Sequence, residues 1–177
     1  MKNRSPLIYY SANELSVVEQ HYDKHFGPTS CVFHNKGDDI PHIDLCLISP
    51  TAEHPQYRLL TLGMGARAMN IPGELQNSVL SNIEFMITLP LGWTDNKRRR
   101  NNFWWPILLL KSVAYFPFVN NEWLDCGHTI SYQNFTEKPD LKMVFLTFPL
   151  DYPHEAQYIE LPNGTIVGIL EVFPVLK

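Results

Sequence analysis

The residues best suited to chemistry are His42, Asp44, Cys126 and His128. His42 and Asp44 stand two apart in an alternating segment, so they share one face of a strand. Cys126 and His128 stand two apart in the compact piece Asp125-Cys126-Gly127-His128-Thr129. A carboxylate can orient an imidazole, and the imidazole can take the proton of a thiol, so such groups from distant segments can form a nucleophilic Cys–His–Asp site. That chemistry would make the chain a hydrolase. No helix start is evident beside Cys126 to favour its thiolate. No GxSxG, P-loop or dinucleotide fingerprint is present. The plainer reading is that His42, Asp44 and His128 are buried polar groups bonded to each other or to backbone. Glu84 joins them as a structural polar cluster. It alternates with apolar neighbours and would need a donor such as Arg58 or Arg67. No catalytic residue is assigned. The alternative function is a hydrolase or metal-binding protein that uses His42, Asp44, Cys126 and His128.

His21 and His25 lie four apart on a predicted helix, a spacing that can hold a metal. The glutamate of an HExxH motif is missing, because Tyr22 follows the first histidine. Two histidines on the exposed side of the helix are the simpler account, and no metal or cofactor is expected. The basic run Lys97-Arg98-Arg99-Arg100 could touch phosphates. Such a run is more often a solvated loop, and the formal net charge of −4 gives no general case for nucleic acid.

The elements around these residues follow from pattern. Ser11 and Glu14 form a capping box. Leu15, Val18, Tyr22 and Phe26 then recur on one side of an amphipathic helix that Gly27-Pro28 stops. Strands are predicted over 30–35, 42–48, 57–64, 82–89, 129–133, 141–148, within 152–161, and over 165–173. Residues 66–81 read as a long loop with a helical turn near Glu74, and loops of that length are often functional or mobile.

Residues 101–131 concentrate the bulk of the chain, with three of its four tryptophans, Trp104, Trp105 and Trp123. Pro106 suits the first position of a helix, and Pro117 disfavours helix at Phe116. A helix apolar on most of its circumference, running from 106 to 116, is therefore expected at the centre of the core. It is too short to span a membrane, which takes roughly 20 apolar residues.

Two helices and seven or eight strands, without regular alternation, give an α+β fold. Its sheet is mixed or mostly antiparallel, packed around the central helix, with an amphipathic helix at the N-terminal end. A length of 177 residues fits one domain over 1–177. Three cysteines, Cys31, Cys46 and Cys126, are too few for a disulfide framework and suit reduced thiols in the cytoplasm. The start of the chain lacks the apolar core of a secretory signal.

Read together, several segments resemble the suppressor of fused (SUFU-like) domain family. They are His42-Ile43-Asp44-Leu45, the strand Leu59 to Gly65 that ends in a Gly-Met turn, and Glu84 in IEFMITLP. Trp105-Pro106, Tyr115-Phe116-Pro117, the Gly127-His128-Thr129 turn and the closing pair FLTFPL and IVGILEVFPV complete the series. No single motif is specific, but their order and spacing are, and they cover residues 22–175.

The resemblance implies a non-enzymatic, cofactor-free domain that binds another protein. The animal protein holds a peptide of Gli transcription factors between this domain and a second one. No length remains here for that second domain, so the clamp does not transfer. Stand-alone members are bacterial, and some are held to be immunity proteins that neutralise toxins. The partner expected here is thus a protein, with a toxin as one candidate. Nucleic acid, membrane and small-molecule cofactors are not expected. The expected contact residues are Gly63, Met64, Gly65 and Met69, with Trp104 and Trp123. Methionine adapts to varied surfaces, tryptophan is enriched at interface hot spots, and an open sheet also offers its edges.

Overall fold

The computed structural model describes residues 8–37, 41–98, 100–132, 136 and 138–177, with backbone alone at 95–98 and 100–102. The first helix, α1 (Ala12–His25), begins as its capping box dictates. The Ser11 hydroxyl accepts from the Glu14 N–H, and the Glu14 carboxylate accepts from the Ser11 N–H at 2.8 Å. Val18 and Tyr22 are its buried residues, and Phe26 follows them into the core.

The strands are β1 (Thr29–Phe33), β2 (Asp44–Ile48), β3 (Tyr57–Leu62), β4 (Asn82–Leu89), β5 (Thr129–Ser131), β6 (Leu141–Thr147), β7 (Tyr158–Glu160) and β8 (Ile166–Leu176). They form one sheet in the order β1-β2-β3-β4-β8-β6-β5, with β7 paired to the first part of β8. Every pairing is antiparallel except β4 with β8, where Glu84 lies opposite Ile169. The sheet is mixed and open, and the fold is α+β.

Period-two alternation splits the core into two layers. Leu45, Leu59, Phe85, Ile87, Leu170 and Val172 face the second helix, α2 (Arg100–Asn120). Cys46, Ile48, Leu60, Met86, Val167 and Ile169 face the opposite way, toward Val18, Tyr22 and Phe26.

The second helix is longer than its prolines predict. Pro106 and Pro117 lie inside it and terminate nothing. Each interior proline loses one backbone bond and costs about 3 kcal/mol, hence roughly 6 for the pair. Ile107, Leu109, Leu110 and Val113 are buried beneath the helix. At roughly 1.5–3 kcal/mol per large apolar side chain, they return about 6–12 kcal/mol, so tertiary packing outweighs the local signal. Burial is also one-sided, because the outer row of α2 is not covered by the sheet.

The long loop is packed rather than free. The Met69 N–H bonds to the Ser81 carbonyl at 2.7 Å, Met69 and Ile71 are buried, and the helical turn is a 3₁₀ turn at Gly73–Leu75. No helix among the described residues is long and apolar enough to cross a membrane.

Candidate functional site

Glu84 is fully buried on β4 and accepts four hydrogen bonds. The donors are the Tyr10 hydroxyl at 2.7 Å, the Thr61 hydroxyl, and the backbone N–H groups of Gly63 at 3.0 Å and Gly65 at 2.9 Å. Burial holds its carboxyl above the usual carboxylate range, although all four donors pull the other way. The donors anticipated from sequence were arginines. Arg58 instead gives its guanidinium to the Tyr152 hydroxyl and the Ser49 carbonyl, and Arg67 lies over the Phe118 ring.

Two of the four bonds, those from Gly63 and Gly65, fix the turn after β3. Gly63 has φ +115°, and a Cβ there would run into the His42 carbonyl. A Cβ at Gly65 would run into the Tyr10 hydroxyl and Val167. Gly63, Met64, Gly65 and Met69 are all buried. Their expected role as contact residues is corrected accordingly, because the Gly63 and Gly65 N–H groups are spent on Glu84 and Met64 and Met69 pack in the core layer that faces α2.

Asp44 sits between two histidines. Its Oδ2 lies 2.9 Å from His34 Nδ1, its Oδ1 lies 3.2 Å from His42 Nε2, and Oδ1 also accepts the Asn35 N–H at 2.7 Å. This arrangement positions the start of β2 against the end of β1. His42 and Asp44 are therefore partners, as their shared face allows, and His34 is a third member that the sequence reading missed.

His128 belongs elsewhere. Its ring packs edge-on to Trp123 at 4.6 Å, and its carbonyl accepts the Leu146 N–H. Five strand steps separate β2 from β5 along the sheet. At the usual spacing they span roughly 24 Å. His42 and Asp44 thus do not converge with Cys126 and His128, and the structural polar cluster divides among Glu84, the Asp44 pair and the His128 turn.

A cavity of about 230 Å³ opens beside Cys126, lined by Val79, Leu80, Phe148, Tyr158 and Leu170 among others. Its lining includes Asp125 but no histidine.

The His21 and His25 rings touch at 4.5 Å, but His21 Nε2 is bonded to the Ala156 carbonyl at 3.0 Å. Burial lowers the pKa of both rings. Among the described residues no group of three His, Cys, Asp or Glu side chains could hold a metal ion. The side chains of Lys97 to Arg100 lie outside the described residues.

The outer row of α2 is the remaining candidate. Trp104 is 40% exposed, Leu108 39% and Val119 78%, values far above those of core residues. Trp104 is held edge-on by Phe33 and Phe103 at 6.1 and 5.3 Å, so an exposed indole is pre-positioned. Trp123 is half-buried against His128. Sequence gave no signal for Tyr10 as a partner of Glu84. Leu108 and Val119 were legible only as members of an apolar helix.

A family model described as Suppressor of fused protein (SUFU) matches residues 39–177 of the chain. Among solved structures, the chain is similar to a protein of Neisseria gonorrhoeae FA 1090 whose crystal structure is described as that of a SUFU homolog. The TM-score is 0.61 at 14% identity, covering 94% of this chain and 80% of that one. At that identity the likeness speaks for the fold alone. No match is found among curated proteins.

Proposed function

The chain belongs to the suppressor of fused family, and on that premise we propose that it is a non-enzymatic module that works by binding another protein. The observation that carries this reading is the uncovered face of α2 that holds Trp104, Leu108 and Val119. Large apolar side chains aligned on one exposed face are what an interface core is made of. The separation of His42 and Asp44 from Cys126 and His128 supports the same reading over the hydrolase alternative.

The narrower role is that of an immunity protein whose partner is a toxin, as held for some stand-alone members of the family. Expression of the tagged full chain in its source cell tests the module reading. One protein should be retained in stoichiometric amount, and co-expression should abolish its toxicity. A chain recovered alone, with hydrolytic activity in the purified protein, would overturn it. A stoichiometric partner that is not toxic would overturn immunity only.

A further inference from the structure

We infer that the outer face of α2 docks an amphipathic helix of the partner whose border is acidic. This rests on the protein-binding reading above and names the chemistry of the partner.

The face consists of two i, i+4 rows. Trp104, Leu108 and Ser112 form one, and Lys111, Tyr115 and Val119 form the other. From Trp104 to Val119 they run roughly 22 Å along the axis. Adjacent i, i+4 ridges leave a groove into which the ridges of a second helix seat. The aromatic end is held in place by Phe33, and the Tyr115 hydroxyl accepts the Asn35 amide at 2.9 Å, so the groove is pre-organised.

Charge selects the occupant. In a chain of 18 acidic and 14 basic residues, α2 contains no Asp or Glu. The charge within the two rows is Lys111, for which no carboxylate partner is found among the described residues. Seven residues further on, Phe118 carries the Arg67 guanidinium 5.1 Å from its ring centroid. Lys111 thus puts a basic charge on the border of an apolar stripe. A second copy of the chain fits poorly. An antiparallel pair of α2 helices about an axis at residues 111–112 would set Lys111 opposite Ser112 and leave the two Lys111 side chains within one turn of each other, with no acid on either helix to relieve the repulsion. A heterologous helix that carries Glu or Asp along the matching border relieves it.

The test uses two 18-residue helical peptides with the same leucine stripe, bordered in one by glutamates and in the other by lysines. Calorimetry with the full chain should show the glutamate peptide binding about tenfold or more tightly. Lys111→Glu should reverse that preference, and Phe173→Ser, on another exposed patch, should leave it unchanged. Equal binding of the two peptides, a preference indifferent to Lys111→Glu, or dimerisation of the chain through α2 would overturn the inference.

A photo-cross-linking residue at 108 distinguishes this failure from that of the module reading. A native partner captured from position 173 but not from 108 would sink the α2 assignment and leave the module standing. No captured partner at either position would sink both.

Discussion

Tyr10 donates its hydroxyl to Glu84 Oε1 at 2.7 Å, across 74 positions of sequence. That bond ties the segment before α1 to a central strand on the α1 side of the sheet. It also completes the set of donors that holds the Gly63-Met64-Gly65 turn. One buried carboxyl group thus ties together the segment before α1, β3, the turn after it and β4, and several expectations follow from its geometry.

Removing the carboxyl leaves Thr61, Tyr10 and two glycine N–H groups without their acceptor. Each buried unsatisfied group costs roughly 1–3 kcal/mol, so Glu84→Ala should destabilise the chain by at least about 3 kcal/mol in urea unfolding. Glu84→Gln keeps one acceptor oxygen and should lose less. The two variants destabilised equally would show that the hydrogen bonds do not matter.

The pH dependence has a definite sign. Burial raises the folded pKa of Glu84, so the folded state holds its proton more tightly than the unfolded state does. The contribution of this group is full below the unfolded value of about 4.3 and is lost as pH rises through the folded one. Stability of the wild type relative to Glu84→Gln should therefore fall from about pH 4 toward neutrality. A relative stability that rises over the same range would mean that the four donors outweigh burial.

Tyr10→Phe deletes one of the four donors and leaves the ring in place. A hydrogen bond is worth about 0.5–1.5 kcal/mol net, and a loss in that range is expected. Hydrogen exchange should accelerate at the start of α1 more than in β6. Uniform acceleration would show that Tyr10 does not anchor this segment.

Gly63→Ala tests the turn itself. A left-handed backbone is strained for alanine, and here its Cβ also meets the His42 carbonyl. A loss above about 3 kcal/mol is expected, whereas Gly73→Ala, where a Cβ meets nothing within 4 Å, should be nearly neutral. Similar losses at the two sites would contradict the assigned role of Gly63.

The thiols should divide by burial. Cys31 and Cys126 are exposed, whereas Cys46 is buried and its pKa is pushed up to about 12. A thiol reagent should label the first two in the native chain and reach Cys46 only on unfolding. Rapid native labelling of Cys46 would show that β2 opens far more readily than its packing implies.

Much of this fold was legible in the sequence because its signals are local. The capping box at Ser11 and Glu14 placed the start of α1, and the alternation of Ile83, Phe85, Ile87 and Leu89 placed β4 over Asn82–Leu89. The limits of α2 were misread because Pro106 and Pro117 carry a strong local preference that burial of the helix overrides. The parallel contact of β4 with β8 joins residues more than 80 apart, as between Asn82 and Val167, and leaves no trace in either segment.

The site shows the same division. Asp44 and His42 were legible as one strand face, whereas His34, Tyr10 and the separation of His128 from both depend on strand order. Gly63 and Gly65 stood out as glycines, but only the structure shows that they pack on Glu84 and are closed to a partner.

The most direct test of the account is a titration of the partner retained by the wild-type chain onto the wild type and onto Leu108→Glu, with thermal unfolding as a control for folding. A charge placed at the centre of the apolar row should weaken binding about thirtyfold or more while the chain stays folded. Unchanged affinity in a folded Leu108→Glu chain would contradict the claim that the outer face of α2 is where this protein meets its partner.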